Sequence, residues 1–235
     1  GADRHENKTG GLDAAAKDGK GNMKNKKITI LAAMFGLAAV HAANAEYVLS
    51  LGGGWEATIF DDNVDLAVDY VSIEDDVLVI QKFVDYRDVN PFTGQPEPVR
   101  IGFSQVEEDA LTVSHIVLAD EILFNNTGID WTSYDNVLLG DVAEWDPDAS
   151  AGFDPAPFEE LSFHEDNSIA RFSGGVFAAG SSHVVGAGPG ELVMNIDLDG
   201  DEPATFVLKE IPLPAPGAVA FLGLAGLAGT RRRRG

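Results

Sequence analysis

Residues 64–84 read VDLAVDYVSIEDDVLVIQKFV, in which two apolar runs flank a short acidic segment. Both runs, 64–71 and 77–84, are rich in Val and Ile, and apolar and polar residues often alternate along them. Alternation with a period of two is typical of a β-strand that buries one face. This stretch therefore predicts two strands separated by a turn.

The same pattern recurs throughout residues 46–211. Clusters of Gly, Pro, Asn and Asp separate the runs, for example at 52–54 and 186–190, and such clusters favour turns. No helical pattern longer than two turns is convincing, and there is no repeat of fixed period. The sequence predicts an all-β fold, an antiparallel β-sandwich or jelly-roll-like single domain at 46–211. The other predicted strands lie at 58–60, 99–103, 111–118, 137–139, 169–172, 192–198 and 205–209.

The clearest hairpin signal lies near the end of this domain. The runs LVMNIDL (192–198) and ATFVLKE (204–210) flank the segment DGDEP, and an Asp-Gly pair between alternating runs predicts a hairpin. The following segment, 211–217, contains three prolines, which remove backbone donors and fix φ. We therefore expect 211–217 to be neither helix nor central strand, and the domain to end at about Ile211.

Composition restricts the classes of partner. Residues 46–211 hold 34 Asp and Glu against five Lys and Arg, a formal charge of −29, whereas the whole chain carries −22. A domain this acidic repels nucleic acid and anionic lipid, attracts cations and stays soluble in salt. The chain has no cysteine, which excludes a disulfide framework, cysteine-ligated zinc and a cysteine nucleophile.

The N-terminal 45 residues predict two segments. Residues 1–22 are rich in Gly and show no periodicity, so we expect a disordered upstream segment. From Met23, three lysines precede the apolar run ITILAAMFGLAAV, and Ala43-Asn44-Ala45 follows. This layout is typical of a secretory signal peptide, a signal helix within 23–45 that signal peptidase cleaves between Ala45 and Glu46. A buried core helix is the alternative, and the lysines and the Ala-x-Ala site argue against it.

The C-terminal residues mirror this arrangement. A proline-rich segment leads into the apolar run AVAFLGLAGLAGT (218–230), and the basic residues Arg231, Arg232, Arg233 and Arg234 follow. As a helix, the apolar run would be about 20 Å long, which is shorter than a bilayer core of about 30 Å. The arginines would remain on the cytoplasmic side. These features predict a short apolar helix that engages the membrane before any processing.

A proline motif, a short apolar helix and a terminal basic cluster together resemble the PEP-CTERM protein-sorting signal of exported bacterial proteins. The Pro-Glu-Pro of that family corresponds to Pro214-Ala215-Pro216 here, with Gly217 following and Ala215 in place of Glu. The resemblance covers about 25 residues and implies that 212–235 is a sorting segment. It also implies cleavage by an exosortase, a membrane protease of bacteria that make extracellular polysaccharide. A plain membrane anchor is the alternative, but members of the family carry a signal peptide as well, and one is predicted here.

One candidate metal site lies in the predicted hairpin. The residues Asn195, Asp197, Asp199 and Asp201 follow the spacing of the first half of a calcium loop. Phe206 stands where an EF-hand loop has its bidentate Glu. A row of carboxylates on the polar face of a hairpin is the alternative.

One candidate ligand site is aromatic. Trp131, Tyr134 and Trp145 lie in the polar, loop-like region 125–158. Aromatic rings in such loops stack on sugars in many exported binding modules, an argument at the level of fold alone. Packing in the core or at the rim of the sandwich is the alternative.

No catalytic residue is predicted. The chain contains no Gly-x-Ser-x-Gly, His-Glu-x-x-His or phosphate-binding loop motif, and with 34 acids a carboxylate pair carries no specificity. We expect a non-catalytic, exported protein of the bacterial envelope or extracellular polymer, without a cofactor other than a candidate calcium ion. The expected partners are signal peptidase, an exosortase-like protease and extracellular polysaccharide. The alternatives are a carbohydrate-binding module, with or without calcium, and an exported hydrolase.

Overall fold

The computed structural model describes residues 46–214, and this part of the chain forms two β-sheets without an α-helix. A single turn of 3-10 helix, Asp109–Leu111, precedes the sixth strand. The strands in chain order are β1 (Tyr47–Gly52), β2 (Trp55–Ile59), β3 (Val64–Ser72), β4 (Val77–Tyr86), β5 (Val99–Gln105), β6 (His115–Asn125), β7 (Trp131–Leu139), β8 (Ala143–Trp145), β9 (Glu160–His164), β10 (Ile169–Phe177), β11 (Ser182–Val185), β12 (Leu192–Ile196) and β13 (Thr205–Pro214).

In both sheets, strands that are neighbours in space are often not consecutive along the chain. The larger sheet has the order β1-β2-β5-β13-β7-β10-β9, with all neighbours antiparallel. The smaller sheet has the order β3-β4-β6-β12-β8, and β11 pairs with the second half of β6. The all-β prediction is confirmed. The prediction of purely antiparallel pairing is wrong at β4 and β6, which are parallel because the chain crosses to the larger sheet as β5 before it returns.

The two sheets share one apolar core, as in a β-sandwich. Strand β4 shows how the sequence builds this core, because its alternate residues Leu78, Ile80 and Val84 face inward and are fully buried. Burying one such side chain contributes about 1.5–3 kcal/mol. The same alternation places Lys82 and Tyr86 inside the core, at 2% and 1% exposure.

Each run that was predicted as a strand overlaps one in the structure, but β1, β8, β9 and β11 were not predicted. Strand β8 has three residues and β11 has four, too few for alternation to be recognisable. Strand β9 reads ELSFH, and its polar residues hide the pattern. Strands β8, β9 and β11 each pair with a longer neighbour, whereas the six-residue β1 pairs with the five-residue β2 at the sheet edge.

The predicted hairpin at 192–210 is wrong. Strand β12 pairs with β6 and β8 in the smaller sheet, whereas β13 pairs with β5 and β7 in the larger one. The eight residues 197–204 cross between the sheets, which lie about 10 Å apart in such packings. The loop is fixed at its far end by the Gln105 side chain, whose Oε1 accepts a hydrogen bond from the Ala204 backbone N–H at 2.8 Å.

Residues 211–214 extend strand β13 past the expected end of the domain at about Ile211, with a strand neighbour on one side only. Strand β13 continues to Pro214 in the middle of the larger sheet, and Pro212 is buried. Pairing with β5 ends at Glu210, whereas pairing with β7 extends to Pro214. Residues 211–214 therefore have one open side, and proline is tolerated where its missing donor faces such a side.

The segment between β8 and β9 covers one side of the core. It buries Phe153 and Phe158, and the Phe158 ring stacks on Tyr134 with centroids 6.5 Å apart. Two glycines allow this segment to approach the loop before β12: a Cβ on Gly190 would lie 2.0 Å from the backbone carbon of Gly152. Close backbone packing thus holds the aromatic side chains of this segment against the core.

Candidate functional site

Five polar side chains meet inside the core, between the two sheets, where each is at most 2% exposed. We call them the buried polar cluster: Lys82, Tyr86, Glu121, Tyr134 and Glu210. Two come from β4 and one from β6 in the smaller sheet, and one each from β7 and β13 in the larger sheet. The cluster therefore joins the two layers of the fold.

A bulge in β6 directs Glu121 into the core. Leu118 lies opposite Ile80, but Asp120 lies opposite Gln81, so Ala119 is an extra residue in β6. Without it, strict alternation after the buried Leu118 would direct Glu121 to the outer face. With it, Glu121 lies directly opposite Lys82.

The cluster is connected by short contacts. Lys82 Nζ lies 2.8 Å from Glu121 Oε1 and also contacts Glu210 Oε1. The Tyr134 hydroxyl lies 2.6 Å from Glu121 Oε1 and 2.7 Å from Glu210 Oε2. Tyr86 OH is 3.3 Å from Glu210 Oε2. One cation thus bridges two carboxyl groups that also share one tyrosine.

The number of hydrogens constrains the protonation of the cluster. A tyrosine hydroxyl has one proton to donate, so Tyr134 donates to only one of its two close carboxyl oxygens. The other short contact needs a proton on the carboxyl group itself. One lysine ammonium, one carboxylate and one carboxylic acid satisfy the geometry and leave the buried group neutral, as the low dielectric of the core favours.

Burial changes the proton affinities of these groups. It lowers the pKa of the Lys82 amine, and the Glu121 carboxylate partly opposes this change. Burial also raises the pKa of Tyr86 and of Tyr134 well above the ordinary 10.0, with a further rise from the Glu121 charge. Both tyrosines are therefore neutral donors over a wide pH range.

In and next to the buried polar cluster, three buried side-chain atoms that make none of these contacts have no hydrogen-bond partner in the described part of the chain. They are Glu121 Oε2 and both side-chain atoms of Asn136. Asn136 is fully buried and lies directly opposite Glu210 in the β7–β13 pair. An unsatisfied buried polar group costs about 1–3 kcal/mol, so this region retains polar atoms at a cost in stability.

Aromatic rings enclose the cluster. Trp131 makes edge-to-face contacts with Tyr86 and with Phe177, each with centroids 5.0 Å apart. The prediction that Trp131, Tyr134 and Trp145 lie in a loop-like region is wrong, because all three are on strands and 0% exposed, which is the alternative of core packing. Rings without exposed surface offer no face for a sugar, and Trp145 instead donates from Nε1 to the Asn136 carbonyl at 3.2 Å.

The residues of the predicted calcium loop are not arranged around one point. Asn195 is on β12 and its Nδ2 donates to Asp146 Oδ2 at 3.1 Å, while Asp197 Oδ1 accepts from the Asp199 N–H at 2.9 Å. Asp197, Asp199 and Asp201 are exposed. Within 46–214, no three acidic or histidine side chains form a group suited to a metal ion. Calcium binding stays a prediction.

A cleft of about 620 Å³ lies on the surface and collects charges of both signs. Three of the domain's five basic residues line it, and the Arg100 guanidinium lies over the Phe60 ring at 5.6 Å. The Asp61 carboxylate accepts a hydrogen bond from the Arg100 backbone N–H at 2.8 Å. Burial raises the pKa of the Asp61 carboxyl group. The charged lining of the cleft comprises Asp61, Asp62, Asp88, Glu97, Arg87, Arg100 and Lys209.

The predicted processing sites lie at or beyond the ends of the described fold. Glu46 is the first described residue and Pro214 is the last. Ala43 and Ala45, and the sorting residues Ala215, Pro216, Gly217 and 231–234, are outside the described residues. Within 46–214 there is no helix with the length and apolarity to cross a membrane.

The chain matches no protein-family model, no curated protein and no solved structure.

Sequence reasoning missed Lys82, Glu121 and Glu210. One signal was present, because Lys82 has the same parity as the apolar Leu78, Ile80 and Val84 in its run. A lysine at an inward position needs a buried anionic partner. Glu121 gave no such signal, since it depends on the bulge in β6.

Stability should fall as pH rises above about 10, the ordinary pKa of tyrosine. In that range the unfolded Tyr86 and Tyr134 lose protons that the folded protein keeps, because burial raises their folded pKa values. The stabilisation is thus complete below the unfolded pKa and is lost toward the folded pKa. Urea unfolding between pH 9 and 11 measures it, and Tyr86→Phe should reduce the slope by about 0.7 kcal/mol per pH unit on average, because one pKa unit is worth about 1.4 kcal/mol and the unfolded tyrosine is only half ionised at about pH 10. Tyr70→Phe is the comparison and should reduce the slope less, because Tyr70 is 48% exposed and its pKa is raised less than that of the fully buried Tyr86. Equal slopes for Tyr86→Phe and wild type would contradict this.

Proposed function

We propose that this chain is an exported bacterial protein sorted to the cell surface by its C-terminal segment. Its jelly-roll-like β domain would act there as a non-catalytic component of the envelope or of the extracellular polymer.

One observation carries this proposal: the described fold fits between the two predicted processing sites. Strand β1 begins at Tyr47, one residue after the Ala45–Glu46 bond, and β13 ends at Pro214, the first residue of the Pro-Ala-Pro motif. Cleavage after Ala45 or beyond Pro214 would remove no residue of a described strand. Export and sorting of an intact domain need this separation.

The burial of the polar cluster supports a structural role. Groups with strongly changed proton affinity often mark catalytic sites, but an active site must admit its substrate. Here the cluster is at most 2% exposed and surrounded by aromatic rings. Its chemistry can therefore act only on the protein itself.

The charge distribution also supports an extracellular location. Of the five basic residues, Lys82 is buried and Arg171 is paired with Asp135, with two contacts of 2.8 and 2.6 Å. Most of the 34 acidic residues lie outside the core, with Glu121, Asp135 and Glu210 as buried exceptions, so negative charge dominates the exterior. Such a surface resists association with other anionic polymers and binds counterions.

The export step can be tested by the N-terminus of the protein recovered outside the cytoplasm. We expect it to begin at Glu46 when the chain is made in a bacterial host with a signal peptidase. Ala45→Phe should block cleavage, since the enzyme requires small residues at this position. Asn44→Gln is the matched control, because the middle position of Ala-x-Ala is not selective. N-terminal sequencing is the measurement, and an exported form that retains 23–45 would refute the proposal.

A further inference from the structure

We propose that Lys82 and Glu210 condense to an amide, an isopeptide cross-link that joins β4 to β13 across the core. The proposal concerns a modification of the protein by itself and does not depend on export or sorting. It explains why one amine, two carboxyl groups and two tyrosines meet in the buried polar cluster.

The reacting atoms are already in contact. Lys82 Nζ touches Glu210 Oε1, and both side chains are fully buried. The amine comes from the smaller sheet and the carboxyl group from the larger sheet, so folding itself brings them together. Two groups held in contact by a rigid fold react far faster than the same groups in solution.

Glu121 is positioned as the base. Its Oε1 lies 2.8 Å from Lys82 Nζ, within the reach that proton transfer requires. Desolvation lowers the pKa of the Lys82 amine, and this eases removal of its proton. The neutral amine that results is a nucleophile.

The tyrosines stabilise the charge that develops on Glu210. Tyr134 OH lies 2.7 Å from Oε2 and Tyr86 OH lies 3.3 Å from the same oxygen. Both can donate to the oxyanion of a tetrahedral intermediate, as donors in an oxyanion hole do. The unpaired Nδ2 of Asn136, on the residue opposite Glu210, is a further donor beside the site.

The reaction begins with Lys82 as ammonium, Glu121 as carboxylate and Glu210 as carboxylic acid, with the Glu210 proton on Oε2 beside Tyr134. This proton moves through the Tyr134 hydroxyl to Glu121 Oε1, and Lys82 gives one proton to Glu210 Oε1, so that Tyr134 now donates to Oε2. The amine lone pair then attacks Glu210 Cδ, and the carbonyl electron pair moves to Oε2. Glu121 then gives its proton to the Oε1 hydroxyl, which leaves as water while the carbonyl reforms. Glu121 recovers a proton from the nitrogen and ends as a neutral acid.

Burial favours the product. An ion pair in a protein core keeps a large desolvation cost that its attraction rarely exceeds. The amide is uncharged, and the released water gains access to solvent when the domain fluctuates. A covalent link would also join the two sheets of a chain that has no cysteine. It would hold β13, the strand that precedes residues 215–235.

Mass spectrometry of the full chain, purified from the expressing host and denatured, tests the proposal. With the chain ends mapped, we expect a mass lower than that of the sequence by one water. Trypsin should fail to cut after Lys82, and a branched peptide should join the Lys82 and Glu210 segments. Glu121→Gln should greatly reduce the cross-linked fraction, since the base is lost. Lys209→Met is the matched control and should keep the mass deficit, because Lys209 is adjacent to Glu210 but faces outward.

Each other outcome of the wild-type measurement overturns the proposal. A full sequence mass with normal trypsin cleavage after Lys82 would mean that the cluster is an ion-paired network only. A mass lower by one ammonia, with Lys82 joined to Asn136, would mean that Asn136 is the acceptor. The wild-type mass decides the matter even if Glu121→Gln does not fold.

Discussion

Lys82→Met is expected to lower the free energy of unfolding by about 3–5 kcal/mol, the cost of removing one partner from a buried ion pair. Methionine fills a similar volume but leaves Glu121 and Glu210 without their cation, both at 0–1% exposure. The two carboxyl groups share the Tyr134 hydroxyl, so each affects the other. The substitution therefore leaves uncompensated polar groups in the core.

Chemical denaturation of the mature protein measures this loss, and two variants make it specific. Lys209→Met removes an outward-facing lysine of the larger sheet and should change stability by less than about 0.5 kcal/mol. Replacing Lys82, Glu121 and Glu210 together with Met, Leu and Leu removes every buried charge of the cluster. This triple variant should be more stable than Lys82→Met, since apolar replacement of a whole buried ion group is often neutral or stabilising.

Two outcomes would contradict this account of the cluster. A loss below about 1 kcal/mol for Lys82→Met would be typical of a solvent-exposed pair and would contradict its burial. Equal losses for Lys82→Met and Lys209→Met would show that lysine removal has no effect specific to the core. Because Lys82→Met also prevents the proposed amide, the mass of the wild-type protein separates the two contributions.

The fold class could be predicted because strand alternation is a local property. Runs such as 77–84 carry the period of two within a single strand, and each of these runs overlaps a strand in the structure. Short strands such as β8 and β11 lack room for that period. They form because longer neighbours supply their hydrogen-bond partners.

Sheet membership could not be predicted, because it depends on non-local pairing. The residues 192–210 have the local pattern of a hairpin, yet β12 and β13 belong to different sheets. The pattern is the same for both outcomes, since each strand buries one face in the same core. Likewise, the prolines at 212 and 214 favour a segment without a central strand, and the sequence does not show that pairing with β5 ends at Glu210.

The candidate site was hidden by composition. Among 34 acidic residues, nothing in the sequence distinguishes Glu121 from those that face solvent, because it reaches the core only through a bulge. Glu210 lies 89 residues further along the chain and has the same parity as the apolar Phe206 and Leu208. Lys82 and Glu210 could therefore have been recognised from their inward parity, but not their contact with each other.

The second large effect concerns the sorting segment. In a host with a compatible exosortase, we expect Pro216→Ala to leave the chain in the membrane with its tail uncut, because the motif is altered. Pro216 is a better choice than Pro214. Pro214 belongs to β13 and lies opposite Trp131 of β7, so a change at 214 would also disturb the sheet. Replacing 231–234 with glutamine should instead weaken retention in the membrane, since the positive charges that resist translocation are lost.

Fractionation distinguishes these variants, with Ala218→Val as a conservative control in the apolar run. Accumulation of uncut Pro216→Ala in the membrane, with normal export, would support recognition of the motif. Normal cutting of Pro216→Ala would show that the protease, if any, reads another feature. Unchanged retention of the arginine-free variant would contradict the positive-inside argument.

The most direct test of surface sorting is the intact mass of wild-type protein recovered from the surface of such a host. The account predicts a chain that begins at Glu46 and lacks the arginines 231–234, with its C-terminus near Pro214-Ala215-Pro216. A surface form that still ends at Gly235 would contradict it and leave the tail as a membrane anchor only.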